Sequence, residues 1–173
     1  NELIANIGNF INRALSFTQK SFQGIVPKPS GIDGTIEKEL AATVYETGRL
    51  LSSNEIDKSL KRILKYSNYM NHYFQTNSPW ANKDTSNTTV YVSVNTVRSL
   101  AVMLEPFIPF SSEKVWAQLN LEGDSSVHDQ NWESAKDIRA IPPGHKLGNV
   151  APIFRKIEAK EIEQWKNKLG KPQ

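Results

Sequence analysis

The opening stretch, Asn1 to Phe22, places Leu3, Ile4, Ile7, Phe10, Ile11, Ala14 and Leu15 at three- and four-residue spacing. At about 100° per residue these side chains share one face of a helix, and that face is too wide to remain in water. A chain that opens this way must supply further helices to cover it. On a different face Asn9, Arg13, Ser16 and Lys20 fall close together. An amide beside a guanidinium suits the reading of polar edges, because each can make two hydrogen bonds in a plane.

Helix-sized segments follow, separated by breakers. Gly24 to Gly31, with Pro27 and Pro29, is a connection. A second helix is expected from about Thr35, turning Ile36, Leu40, Ala41, Val44, Gly48 and Leu51 to the core. Ser52, Ser53 and Asn54 offer cap oxygens to a third helix, about Glu55 to Gln75. Its apolar stripe is Ile56, Leu60, Ile63, Leu64, Met70 and Phe74, and Lys58, Arg62 and Lys65 line up on the other side. Such a row is commonly a solvated face. It is also what a phosphate track looks like, since lysine and arginine contacts position a nucleic acid without reading its sequence. The helix leads into a polar loop, Asn77 to Asn87, that holds Pro79 and Trp80. Tryptophans are usually at least partly buried, so the plain expectation is a side chain folded back on the core. The alternative is an exposed stacking platform, worth roughly 1–3 kcal/mol per base.

Thr88 to Leu104 is ambiguous. Val90, Val92 and Val94 alternate like a strand, yet Val90, Val94, Val97, Leu100, Ala101 and Leu104 also fit a helix. Its helical neighbours leave a lone strand nothing to pair with, so a helix is expected, ending near Glu105 before Pro106 and Pro109. Ser111 and Ser112 are expected to cap a short fifth helix bearing Val115, Trp116 and Leu119. Leu121 to Ala140 reads as an irregular excursion, and Ile141 to Gly148 is rich in breakers. A final helix, about Glu158 to Leu169, carries a narrow seam of Ile162, Trp165 and Leu169, with Gly170 as its stop. The expected fold is therefore all-α: a helical bundle over residues 1–120, then an irregular extension over 121–173 that ends in a helix.

The chemistry is sparse. With no cysteine among 173 residues there is no disulfide, thiolate nucleophile or zinc knuckle. His128, Asp129 and Glu133 lack the spacing of a metal site, so no metal is expected. No glycine-rich phosphate loop, nucleophile elbow or paired-carboxylate arrangement occurs, and no catalytic residue is assigned. A net charge of +3 permits a nucleic-acid partner without demanding one. No apolar run is long enough to span a membrane and no signal peptide is evident, so a cytoplasmic chain is expected. Because residue 1 falls inside an apolar-periodic pattern with no cap before it, the expectation is a cut within a longer polypeptide.

Three motifs carry a family resemblance. Asn6-Ile7-Gly8-Asn9-Phe10-Ile11-Asn12-Arg13, the Ser78-Pro79-Trp80 loop, and Pro152-Ile153-Phe154-Arg155-Lys156-Ile157-Glu158 stand in the order found in methionyl-tRNA synthetase, a class I enzyme. Together they span nearly the whole chain and resemble its C-terminal anticodon-binding part. Leu104 to Phe110 is similar too, although related class I synthetases share that pattern. The resemblance implies a helical bundle, and with it a helix over Val90 to Leu104. It implies that Trp80 stacks on the wobble cytosine of the CAU anticodon of tRNA(Met), while Asn9 and Arg13 hydrogen-bond the edges of that base and its neighbour. It places ATP use, and the zinc of many members, in an upstream catalytic domain toward which the C-terminal segment would pack. A helical protein-interaction scaffold is one alternative. The matching domain of a synthetase for a branched-chain amino acid is another.

Overall fold

The computed structural model describes residues 3–121, 123, 125–155, 157 and 159–169. Among them are six α-helices: α1 (Asn9–Ser21), α2 (Gly34–Ser52), α3 (Ile56–Asn77), α4 (Lys83–Leu104), α5 (Pro109–Gln118) and α6 (Ala159–Leu169). A π-helical segment, Leu3–Gly8, runs straight into α1, and two 3₁₀ pieces, Val127–Asp129 and Trp132–Lys136, lie between α5 and α6. The expected all-α architecture is what forms. The side chains of Leu3, Ile4 and Leu169, with Lys156, Glu158 and Gly170, lie outside the described residues.

Helix α4 is the centre. From Thr89 to Leu104 every residue is buried, because α1, α3, α5 and the Trp132–Lys136 turn all pack on it. A helix covered on every side needs no polar face, which is why its sequence shows no clean helical period. It also begins earlier than expected, at Lys83, where the Asn82 side chain accepts from the Asp84 amide at 3.1 Å.

Several local expectations are corrected. Helix α3 has no side-chain cap: Ser52 belongs to α2, and Asn54 takes a left-handed conformation (φ 59°) in the turn between them. Ile56 is 57% exposed rather than part of the buried stripe, since it stands at the first position of α3, beyond the packed part of α2. In its place the stripe includes Ser59, Tyr66 and Ser67. Helix α5 starts at Pro109, so Ser111 and Ser112 lie in its first turn and cap nothing; proline suits that position because its missing N–H would be unpaired there anyway.

The stretch after residue 120 is irregular but not peripheral. Val127, Ala135, Ile138, Ile141, Leu147 and Ile153 enter the same core as the bundle. Buried Asn95 on α4 donates to the Ile141 carbonyl at 3.2 Å and accepts from its amide at 2.7 Å. Arg98 reaches the Gln130 and Ser134 side chains at 3.0 and 3.1 Å and lies 5.5 Å from the Trp116 ring centre. Trp132 donates to the Val44 carbonyl at 3.0 Å, which requires glycine at 48, where a Cβ would come within 2.8 Å of the indole nitrogen. On α6, Ile162 and Trp165 stay exposed.

Candidate nucleic-acid interface

Helices α1 and α3 run side by side in the same direction. The Asn6 amide donates to the Leu64 carbonyl at 3.0 Å, and Asn71 donates back to the Asn6 carbonyl at 3.2 Å. That alignment sets Asn9 against Asn71 and Arg13 against Gln75, each pair one helical turn above the last. Asn9 is exposed and donates weakly to Asn71 Oδ1 at 3.4 Å. Arg13 donates to Gln75 Oε1 at 2.7 Å.

The loop after α3 brings Trp80 to the same patch. Ser78 closes the helix in a left-handed conformation (φ 39°), and its carbonyl accepts from the amides of Ala81 and Asn82 at 2.8 and 2.9 Å. Pro79 is buried inside this turn, which leaves Trp80 pinned between two helix ends and 51% exposed. Its ring centre lies 6.0 Å from that of Phe74. Phe74 in turn meets Phe17 edge-on at 6.0 Å, so an aromatic row runs from the interior out to Trp80. The Arg13 guanidinium carbon sits 5.2 Å from the Phe74 ring centre and 5.9 Å from that of Trp80. Trp80 is thus neither a core residue nor a free one. One edge rests on Phe74, and much of the ring faces water beside a cation.

Asn9, Arg13 and Trp80 therefore converge. Lys58, Arg62 and Lys65 do not form a matching row of open cations. Arg62 turns to α2, where it contacts the Glu46 carboxylate and meets Glu39 at 3.0 Å with only 13% of its side chain exposed. Lys58 contacts Glu55, the residue just before its own helix, and Lys65 is exposed. Lys65 also precedes Gln75 by ten residues, about 15 Å at 1.5 Å per residue.

Phe74, Asn71 and Gln75 are residues of this patch that sequence reasoning assigned no site role. Asn71 and Gln75 repeat the four-residue spacing of Asn9 and Arg13, and that echo was the available signal. His128 finds its carboxylates elsewhere than at Asp129 and Glu133: it meets Glu105 at 2.7 Å and Glu113 at 2.5 Å. Those two neighbours, Glu113 foremost, raise its pKa above the usual histidine value. Among the described residues no group of His, Asp or Glu is arranged to hold a metal ion, and no helix is long and apolar enough to cross a membrane.

Comparison with known proteins shows the family of the chain. A family model described as "Anticodon binding domain of methionyl tRNA ligase" matches residues 27–173. The methionine–tRNA ligase of Thermococcus kodakarensis is 35% identical over 168 residues, covering 93% of this chain and 22% of that protein. That of Sulfolobus acidocaldarius is 35% identical over 174 residues, covering 95% and 30%. The cytoplasmic enzyme of Xenopus laevis is 33% identical over 178 residues, covering 98% and 19%. In fold, the chain resembles apo methionyl-tRNA synthetase of Mycobacterium tuberculosis with a TM-score of 0.76 at 22% identity, over 91% of this chain and 32% of that one. The chain thus spans less than a third of the length of these relatives. On the match to residues 27–173, it belongs to the family of methionyl-tRNA ligase anticodon-binding domains.

Proposed function

We propose that the chain reads the CAU anticodon loop of tRNA(Met) on behalf of a methionine–tRNA ligase. The observation that carries this reading is Trp80: a half-exposed indole fixed beside Arg13, one turn from Asn9. RNA loops are recognised by splaying bases, stacking them on aromatics and hydrogen-bonding their edges. A cytosine edge offers one donor and two acceptors, and Asn9 with Arg13 supplies both complementary kinds. In this reading the wobble cytosine stacks on Trp80, and Lys65 with Lys58 is at most a peripheral positioning track for phosphates.

The attachment of methionine, the use of ATP and any zinc belong in this proposal to a catalytic domain outside these residues. The M. tuberculosis protein has been solved with methionyl-adenylate. We place the chain in the cytoplasm, as the Xenopus relative is described. The exposed Ile162 and Trp165 of α6 would then pack toward that catalytic domain.

The test is affinity for a CAU stem-loop against one with its first anticodon base changed, at one salt concentration. CAU is expected to bind tighter by about tenfold or more, the scale of a good bidentate base contact. Equal affinities would sink the methionine assignment. Binding to neither loop would favour the scaffold reading, for which the exposed α6 seam is the specific observation.

A further inference from the structure

The side-chain amide of Asn71 is not free to choose which end faces which neighbour. Its Nδ2 donates to the Asn6 backbone carbonyl at 3.2 Å. A carbonyl oxygen only accepts, so the nitrogen must face Asn6 and Oδ1 must face the other way. That oxygen lies 3.4 Å from Asn9 Nδ2, and it too only accepts. Asn9 is thereby turned with its own nitrogen toward α3. Among the described residues nothing donates to Asn9 Oδ1, so the acceptor end is left for a ligand. The carbonyl that starts this row is itself held in place. Asn6 is 9% exposed, and its Nδ2 donates to the Leu64 carbonyl at 3.0 Å. Gln75 also turns its oxygen to α1, toward Arg13, but among the described residues no acceptor holds its nitrogen. Asn71 alone of the two carries a polarity from the α1–α3 seam out to the patch.

We infer that Asn71 is a positioning residue that fixes which end of the Asn9 amide meets the RNA, and so makes the site choose cytosine over uracil. The inference rests on the RNA-binding reading above. Along its pairing edge cytosine carries an amino donor and then two acceptors, whereas uracil carries an acceptor, a donor and an acceptor. Asn9 Oδ1 followed by the remaining Arg13 N–H groups offers an acceptor and then donors, which complements cytosine at every position. Against uracil the same order sets oxygen against oxygen and N–H against N–H. Were Asn9 free to turn over, its Nδ2 would meet the uracil oxygen instead, and that repulsive element of the discrimination would be lost. Asn71 itself touches no base and acts through Asn9.

The experiment measures binding of CAU and UAU stem-loops, at one salt concentration, to the wild type and to Asn71→Leu, Asn71→Asp and Asn9→Asp. The wild type is expected to prefer CAU by about tenfold or more, the scale of a good bidentate base contact. Asn71→Leu removes the lock, and the two affinities should converge, chiefly because UAU binds more tightly than it does to the wild type. Asn71→Asp keeps an acceptor toward Asn9 and should keep the CAU preference, whatever its added charge does to both affinities. Asn9→Asp has no donor to turn outward and should keep the preference as well. A purely structural role would weaken both loops together, so an unchanged ratio of CAU to UAU affinity in Asn71→Leu overturns the inference. Loss of the ratio in Asn71→Asp overturns it too. If Asn71→Leu fails to fold, Asn9→Asp decides alone, and a preference lost or reversed there overturns the polarity assigned to Asn9. If the wild type shows no preference, the RNA reading itself falls. If the wild type prefers CAU and the ratio survives Asn71→Leu, only the role of Asn71 falls.

Discussion

Arg13 is held by three groups of different chemistry: the Gln75 amide oxygen, the Phe74 ring and the Trp80 ring. A neutral acceptor is the partner that orients a guanidinium without cancelling its charge, so Arg13 is aimed yet still able to bind an incoming edge. Gln75→Glu would turn that contact into an ion pair, which holds the guanidinium more tightly and offsets its charge. The expected result is weaker binding of the CAU loop with unchanged or slightly raised thermal stability. Trp80→Ala should cost about 1–3 kcal/mol of RNA binding, while the half-exposed position keeps the loss of fold stability small; titration and melting of the same variant check both. Asn9, Arg13 and Trp80 were legible because they sit in motifs. Asn71 and Gln75 were not, because they read as ordinary polar residues of a helix surface. What gives them a role is the parallel alignment of α1 on α3, and the spacing of apolar residues does not encode which helices pair or in which direction.

At the level of elements, α3 separates two kinds of cation that its sequence presents as one row. Arg62 clamps α3 to Glu39 and Glu46 of α2, whereas Lys65 stands exposed. Arg62→Ala is therefore expected to lower stability by about 1–2 kcal/mol, between an exposed and a buried pair, and to leave the salt dependence of RNA binding unchanged. Lys65→Ala should leave the melting temperature alone; if it touches a phosphate, the slope of log affinity against log salt falls by about one. A second joint is the His128 turn, bridged to Glu105 at the end of α4 and to Glu113 on α5. In the unfolded chain His128 titrates near 6.5, and Glu113 and Glu105 raise that value in the folded state. Its stabilising contribution is therefore full below about pH 6.5 and fades as pH rises through the higher folded value. The melting-temperature gap between wild type and His128→Gln should shrink over that rise, and a gap constant with pH would refute the bridge. The sequence was least informative at α4 and the start of α3, for opposite reasons. Burial on every side erased the period of α4, while Ile56 matched the α3 period at a position that nothing covers.

Across the whole molecule, the core does not stop where helical periodicity stops. Residues 1–120 look like a complete bundle in sequence because their apolar residues repeat, and the following stretch looks like an appendage because its apolar residues are isolated among turns. Yet Val127, Ile138, Ile141 and Leu147 are each at most 4% exposed. Burying such a side chain contributes about 1.5–3 kcal/mol, so the four together contribute about 6–12 kcal/mol. That is comparable to the entire stability of an ordinary domain, about 5–15 kcal/mol. Removing them would also strip Asn95 of its Ile141 partners, leaving its amide only the Tyr91 carbonyl, and Arg98 of Gln130 and Ser134 on the central helix. Helix α6 has no comparable stake, since Ile162 and Trp165 are exposed. Two shortened chains should therefore behave differently. One ending at residue 155 is expected to melt cooperatively within a few degrees of the full chain, and to keep its affinity for the CAU stem-loop. One ending at residue 120 is expected to lose the cooperative transition, and RNA recognition with it, although Asn9, Arg13 and Trp80 are all present. Calorimetry and stem-loop titration of the two would decide the matter, and a cooperative, CAU-selective 120-residue chain would show that the bundle stands alone.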